Sequence, residues 1–274
     1  MQKRNGITYR KFHGISAQGM RLWGLAFLLL GAVGYGVFGN ALVPSYGVDA
    51  NGVSLAPLSM LTVGSILQIA YYCAIPIFCF LLVEGMKRTS NARNYAIRVA
   101  ILALVTELPY NLCMTGKLLG AVSFEGGMHF DMASFSLNPV FGSLLCLVVL
   151  LFFRHYAGKS AKNIFIKVFI WLVAFLWVSM LRIDDANRML VIVPVLWIFR
   201  KKKGLQILFG CAATLLSCIF NMDTLAFIGC CLAPLTMMLV HFYNEEPGES
   251  NRIINYAAYP VILLAAALLA KFAI

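Results

Sequence analysis

The third apolar segment of the chain carries a carboxylate deep within a hydrophobic run. Glu107 lies in AILALVTELPYNL, and Asn111 follows it by one helical turn, so both side chains share a helix face. Pro109 between them frees a backbone carbonyl that a neighbour must satisfy. Ionisable groups in such runs are functional candidates by default. We therefore predict a catalytic role for Glu107 and a binding role for Asn111 along a polar path; the alternative is a pairing of Glu107 with another helix.

A second polar cluster joins the end of the second apolar segment to the start of the third. Glu84, in FLLVEGMKR, precedes Arg88 by four residues, and Arg98 lies just inside the next segment. An ion pair between Glu84 and either arginine is expected. Guanidinium groups bind phosphates well, so Arg88 and Arg98 are candidates for holding an anionic cofactor, with Glu84 orienting them. Contact with anionic lipid is the alternative interpretation.

Histidine would be the natural proton carrier, but none of the four lies in the middle of an apolar segment; they are His13, His129, His155 and His241. A general acid or base must reach the reacting group within hydrogen-bond distance. Because His129, in FEGGMHFD, has carboxylates close by, we take it as the candidate catalytic histidine. An ordinary loop residue is the alternative.

One short loop, MLRIDDANRM, carries four charges within seven residues: Arg182, Asp184, Asp185 and Arg188. Such a loop could be a solvated cap on the fold or the rim of a site. We favour the cap, because charged loops are usually solvated faces.

These residues are positioned by a chain that is mostly apolar. Of its 274 residues, 61% are hydrophobic and 12% charged, too few polar groups to cover a soluble globule. Apolar segments of the length needed to cross roughly 30 Å of hydrocarbon recur throughout. We predict an all-α, polytopic transmembrane helical bundle that forms one domain over residues 1–274. Its nine expected spans are 22–43, 58–85, 94–114, 137–154, 164–181, 187–200, 204–220, 224–242 and 253–274.

Two of these spans carry their own predictions. The second contains Pro76 and is expected to be kinked, tilted or broken. The sixth is short, and its existence is the least secure of the nine.

The basic residues indicate the orientation of the bundle. With the N-terminus in the cytoplasm, 18 of the 22 Lys and Arg residues lie on the inner side and 4 on the outer side. The formal charge of +11 is distributed among the ends of the spans, so it does not form a nucleic-acid-binding face. The eight cysteines lie within or beside apolar segments without a CxxC pair, which predicts small buried residues and no metal site.

Several motifs, in order along most of the chain, resemble the TraX family of bacterial membrane proteins. This family is named for the conjugation factor that acetylates the N-terminus of pilin. The most specific stretch is IPIFCFLLVEGMKRTSNARNYAIRVAILALVTELPYNL at 75–112. Supporting stretches are SLNPVFGSLLCLVVL, the segment 184–203 and FYNEEPGESNRIINYAAYPVILL.

The resemblance implies a multi-pass protein of the bacterial inner membrane. It would transfer an acetyl group from cytosolic acetyl-coenzyme A to a peptide, glycan or lipid acceptor at the outer face. The lipid bilayer is then its surroundings, and self-association stays open. A catalytically inactive scaffold of the same fold is the alternative function, and a transporter is a weaker one because no internal repeat is visible.

The chain departs from the family where proton transfer is expected. Gly31 and Ala32 stand where the resemblance implies an Asp-His pair, and neither can accept a proton. Arg88 and Ile262 replace two further histidines, and Tyr72 replaces an arginine. The chemistry has therefore either moved to other residues or been lost.

Overall fold

The structure is a computed structural model that describes residues 14–49, 52–117, 122–123, 129–130, 136–158, 160–220, 223–248 and 252–273. Within these residues the chain forms nine helices and one two-stranded antiparallel hairpin. The helices are α1 (Ala17–Ser45), α2 (Leu58–Arg88), α3 (Ala92–Thr115), α4 (Pro139–His155), α5 (Ala161–Leu181), α6 (Ala186–Ile198), α7 (Lys203–Phe220), α8 (Thr224–Phe242) and α9 (Arg252–Phe272). The strands are β1 (Val122–Ser123) and β2 (His129–Phe130).

The helix lengths match those of a multi-pass membrane protein. Seven of the helices in the described residues are long and apolar enough to cross a bilayer; α4 and α6 are apolar but shorter. At 1.5 Å per residue, the 13 residues of α6 extend about 20 Å, less than the hydrocarbon thickness. Large apolar side chains such as Phe165 and Met180 face outward, as lipid contact requires. Every predicted apolar segment, including the short sixth, is helical.

The helices run back and forth between two ends of the bundle. At the first end, Arg88 at the end of α2 and Lys203 at the start of α7 both donate hydrogen bonds to Tyr243, which follows α8. At the second end, Leu137 before α4 forms a bridge with Ile183 after α5. We call these the basic end and the aspartate end.

Helices α1 and α2 pack closely because glycine faces the contact. A Cβ atom on Gly31 would lie 2.8 Å from the Cα of Tyr71, and one on Gly34 would lie 2.6 Å from the backbone nitrogen of Gln68. Beyond this contact α1 winds as a π-helix over Gly34–Leu42, and the Gln68 amide donates to the Gly34 carbonyl at 3.2 Å. By contrast α2 is unbroken at Pro76. The break that was one of the outcomes expected at Pro76 therefore does not occur, and α1 contains an irregular stretch that the sequence did not predict.

Helix α6 forms much of the core. The carbonyl that its proline leaves without a helical hydrogen bond accepts one from the neighbouring helix α5. Pro194 has no N–H to donate to the Leu190 carbonyl four residues earlier. The indole N–H of Trp171, on α5, donates to that carbonyl at 2.7 Å. This bond fastens the peripheral helix α5 to the central helix α6.

Candidate functional site

A cavity of about 460 Å³ lies at the basic end, and we call it the basic cavity. Along α2 it reaches from Arg88 to Tyr71, a distance of about 25 Å at 1.5 Å per residue. Its polar residues at the basic end include Arg21, Arg88, Arg98 and Tyr95, while its deeper walls are largely apolar. A long cavity with cations at one end suits a ligand that has phosphate groups and an extended, less polar arm.

Arg88 is fixed by a network around a buried carboxylate. Glu84 is 5% exposed and accepts from Arg88 Nε and Lys87 Nζ, each at 3.2 Å. Arg88 also donates to the Tyr243 hydroxyl at 2.8 Å and to the Glu245 carbonyl. Burial, together with the neighbouring Glu84 charge, raises the pKa of Tyr243 to about 12, so its hydroxyl stays protonated. The network leaves the Arg88 guanidinium oriented in the cavity wall.

The ion pair expected for Glu84 is confirmed with Arg88. Arg98 instead donates its Nε–H to the Asn94 carbonyl at 3.2 Å and is exposed, and the ion pairs of the described residues do not include it. Arg98 and Arg21 nevertheless line the same cavity as Arg88. The structure therefore brings both arginines of the predicted phosphate site together and adds a third from α1.

A second cavity, of about 550 Å³, lies at the aspartate end, and we call it the aspartate cavity. Four tyrosines and both aspartates of the charged loop are among its walls; they are Tyr35, Tyr71, Tyr72, Tyr110, Asp184 and Asp185. The loop MLRIDDANRM is thus the rim of a cavity, and the preferred interpretation of it as a solvated cap was wrong.

Asp184 is held as a hydrogen-bonded carboxylate in this wall. It accepts from the Tyr110 hydroxyl at 2.8 Å and from the Ser136 hydroxyl at 3.1 Å. Its backbone N–H donates to the Leu137 carbonyl at 2.9 Å. Burial, with the nearby Asp185 charge adding to it, raises the pKa of Asp184 to about 6, although the two hydroxyl donors oppose the rise. A carboxylate with this pKa can exchange a proton near neutral pH.

Asp185 and Arg188 form a buried ion pair beside Asp184. The guanidinium of Arg188 also lies 4.5 Å from the ring centroid of Tyr72, whose hydroxyl is 2.8 Å from that of Tyr35. Asp185 has a φ of 57°, a left-handed conformation that is uncommon for residues with a side chain. Backbone strain of this kind persists where the surroundings enforce it, often at functional sites.

Tyr71 lines both cavities and forms a wall between them. Its ring is buried, and its backbone packs against Gly31. Gly31 and Ala32, the positions where the resemblance implies an Asp-His pair, therefore lie beside the wall. An aspartate at Gly31 would overlap the Tyr71 backbone, so the pair cannot be restored without moving α2.

Glu107 and Asn111 lie in the seam between α3 and α4. The Glu107 carboxylate accepts from the Asn111 amide at 3.1 Å, from the Asn138 amide at 2.6 Å and from the Asn138 backbone N–H at 3.2 Å. Asn138 caps α4 by accepting from the Val140 N–H. The described residues that line the two cavities do not include Glu107 or Asn111. Their predicted roles along the acyl path stay predictions, while the structure gives Glu107 an anchoring position at the start of α4.

Two further positions from the sequence concern histidine, His129 and Ile262, and of these Ile262 does not line either cavity. His129 lies in strand β2, paired in register with Ser123, and its side chain is outside the part of the chain that the structure describes. Ile262, which stands where the resemblance implies a histidine, packs into the apolar core. The described walls of both cavities lack histidine.

The cavity tyrosines were not predicted from the sequence, and the charged loop contributes more to the site than was expected. Tyr35, Tyr72 and Tyr110 come from three helices and have no common motif, so their convergence needed the fold. The two adjacent aspartates were the available signal. A short loop of four charges between two apolar helices keeps those charges near the bundle, where burial is possible.

Comparison with known proteins identifies one family. The family model described as TraX protein matches residues 53–270, most of the chain. No curated protein and no solved structure matches this chain.

Proposed function

The chain belongs to the TraX family, and on that premise we propose that it transfers an acetyl group between the two cavities. Acetyl-coenzyme A would bind in the basic cavity, and the acceptor in the aspartate cavity. The observation that carries the proposal is that Tyr71 belongs to the walls of both. Donor and acceptor sites that share a wall residue are neighbours, which would let the reacting groups meet inside the bundle.

The residues of the basic cavity fit such a donor. Three arginines, Arg21, Arg88 and Arg98, match the charge of its phosphates, and the apolar walls toward Tyr71 suit its extended arm. The bound donor supplies an activated thioester carbonyl. In this proposal Glu84 acts indirectly, by orienting Arg88.

Asp184 is the group best suited to accept a proton in the aspartate cavity. The acceptor's amine or hydroxyl attacks the thioester carbon, its C–N or C–O bond forms as the C–S bond breaks, and its proton passes to the Asp184 carboxylate. The sulfur leaves as thiolate and takes a proton from solvent. Tyr110 and Ser136 position the carboxylate. This assignment replaces the absent Asp-His pair with a carboxylate and does not need Glu107 or His129 to touch the substrates.

We extend the proposal to the orientation of the bundle. All nine helices cross the inner membrane, the basic end faces the cytoplasm, and the N-terminus is inside. The 18-to-4 distribution of basic residues and the alternation of helix ends support it. Alkaline phosphatase fused after residue 117 should be active outside the cytoplasm, and the same fusion after residue 202 should be inactive; the reverse result contradicts this orientation.

The test of the activity uses protein in proteoliposomes with labelled acetyl-coenzyme A supplied at the basic end. Three acceptor probes are offered at the other end: a peptide with a free α-amino group, a glucosamine oligosaccharide and phosphatidylethanolamine. Transfer to any of them supports the proposal. The lack of both binding and transfer overturns it.

A second function, a catalytically inactive scaffold, is favoured by a different observation. The tight contact of Gly31 with Tyr71 leaves no space for the acid-base pair that the resemblance implies. This alternative predicts that acetyl-coenzyme A binds and that none of the three probes is acetylated.

A further inference from the structure

A third cavity, of about 640 Å³, lies away from the two just described and has a different character. We call it the apolar groove. It runs between α5 and α6, and its walls are almost entirely hydrophobic; they include Val168, Trp171, Pro194, Val195 and Leu216. Ile164, Val168 and Trp171 follow one face of α5 at helical spacing, so the groove follows the helix axis. Its volume is within the range of small-molecule sites.

Three cations from three separate chain segments lie in the same groove. Arg154 is at the end of α4, Lys167 is in the second turn of α5, and Arg200 follows α6. The described residues that line the groove include no carboxylate, and none of the three cations is in an ion pair with a described carboxylate. The groove thus combines a net positive charge with a long apolar surface.

Two of the cations are held in place by the protein. Lys167 extends back along α5, and its ammonium donates to the Gly158 carbonyl at 3.3 Å, which keeps the charge near the turn between α4 and α5. Arg200 donates to the Trp197 carbonyl at 2.6 Å, and its guanidinium lies 3.9 Å from the centroid of the Trp197 ring. The hydrogen bond from Trp171 to Leu190 likewise fixes the groove wall. The site is therefore largely preformed.

We infer that the apolar groove binds one anionic diacyl phospholipid. Its phosphate lies among Arg154, Lys167 and Arg200, and an acyl chain lies along Val168, Trp171 and Pro194. A soluble anion would leave the apolar walls uncovered, and a zwitterionic lipid would leave the charge of three cations uncompensated. Only an anionic lipid matches both features of the groove. The inference does not depend on acetyl transfer, because the groove and the basic cavity share no described lining residue.

The test uses the chain's own tryptophans. Two of the four, Trp171 and Trp197, line the groove, so Trp23→Phe and Trp177→Phe together leave a protein whose emission reports on it. This protein is placed in nanodiscs with increasing fractions of dibrominated phosphatidylglycerol or dibrominated phosphatidylcholine. Dibrominated phosphatidylglycerol should quench the tryptophan emission at a clearly lower mole fraction than dibrominated phosphatidylcholine. Equal quenching by both lipids overturns the inference.

A matched pair of triple variants tests the cations. Arg154→Gln, Lys167→Gln and Arg200→Gln together should remove the preference for phosphatidylglycerol, with about a fivefold loss of affinity for each cation. Lys162→Gln, Lys201→Gln and Lys202→Gln together change the charge equally at exposed positions outside the groove and should keep the preference. If the two triple variants behave alike, the preference is general surface attraction and the site does not exist.

A second pair tests the acyl chain. Val168→Phe fills part of the groove without touching the cations, whereas Leu172→Phe enlarges an exposed side chain of α5 outside it. Quenching by phosphatidylglycerol should weaken in the first variant only. Unchanged quenching in Val168→Phe contradicts the placement of the chain. In all these variants acetyl-coenzyme A binding should match the parent protein, so failure of this inference is distinct from failure of the proposed activity.

Discussion

The basic cavity and the aspartate cavity use charge in opposite ways. The arginines of the basic cavity come from three helices, and Arg98 is exposed to solvent. The charges of the aspartate cavity lie within seven residues where α5 passes into α6; there Arg188 is 6% exposed and Asp184 accepts from two hydroxyl groups. Exposed cations attract an anionic ligand through their charge. A carboxylate withdrawn from water acquires a pKa at which it can exchange protons. One end is thus suited to binding and the other to chemistry.

The largest effect should come from Asp184→Asn. The amide still accepts hydrogen bonds from Tyr110 and Ser136 but cannot take a proton, so acetyl transfer should fall by about 10²- to 10⁴-fold. Binding of acetyl-coenzyme A, measured by calorimetry, should be unchanged because Asp184 lines the other cavity. With the deprotonated Asp184 carboxylate as the proposed base, transfer by the parent protein should rise with pH through about 6 and then level off.

Glu107→Gln is the comparison for Asp184→Asn, because Glu107 is a carboxylate that is not among the described wall residues of either cavity. If Glu107→Gln abolishes transfer in a folded protein while Asp184→Asn does not, the assignment of chemistry to the aspartate cavity is wrong.

The second effect concerns the wall between the cavities. Gly31→Ala places a Cβ atom 2.8 Å from the Cα of Tyr71, and backbone cannot yield cheaply, so the free energy of unfolding should fall by about 1–3 kcal/mol. Thermal unfolding in detergent measures it. Gly204→Ala is the control, because a Cβ atom there meets nothing within 4 Å. Equal unfolding temperatures for the two variants would contradict the close contact of α1 and α2.

A smaller effect is expected at the basic end. Arg21→Gln with Arg98→Gln should weaken acetyl-coenzyme A binding roughly tenfold, because each removes one solvated phosphate contact. The loss should shrink at high salt, as exposed charges are screened. Arg93→Gln, an exposed cation outside the described cavity walls, should bind normally. An equal loss in Arg93→Gln would indicate nonspecific attraction.

The smallest expected effect is a shift in the pH profile of transfer when the Tyr110 hydroxyl is removed. Its hydroxyl stabilises the charged form of Asp184, so Tyr110→Phe should move the midpoint of the pH profile upward by about half a pH unit. Transfer well above this midpoint should stay near that of the parent. A profile that keeps its midpoint would show that Asp184 is not the titrating base.

The sequence sufficed for the helices because length and apolarity identify them without knowledge of their neighbours. Even α6, the shortest, is helical where an apolar segment was predicted. The π-helical stretch of α1 was missed, because it accompanies the close approach of Gly34 to α2, which is a contact between distant segments. The continuity of α2 through Pro76 was not predicted either, because a proline within a helix is normally expected to disrupt it.

The site was harder to predict because burial, more than residue type, distinguishes its members. Glu107 has the stronger sequence signal, since it lies inside an apolar run, yet Asn111 and Asn138 engage its carboxylate. Asp184 lies in a polar loop that resembles a solvated turn. Only the packing of Tyr110 and Ser136 against it reveals a carboxylate shielded from water. Pairing within the arginine cluster was predictable for Arg88, because a helical spacing of four residues fixes it.

The contact between Gly31 and Tyr71 also limits the mutational paths open to this protein. Any side chain at Gly31 first requires α2 to shift, because the contact is with the Tyr71 backbone, and that shift would disturb both cavities through Tyr71. Single substitutions toward an acid-base pair at Gly31 and Ala32 are therefore expected to be deleterious on their own. In this structure an acid-base pair at these two positions therefore requires several simultaneous changes, including a wider separation of α1 and α2.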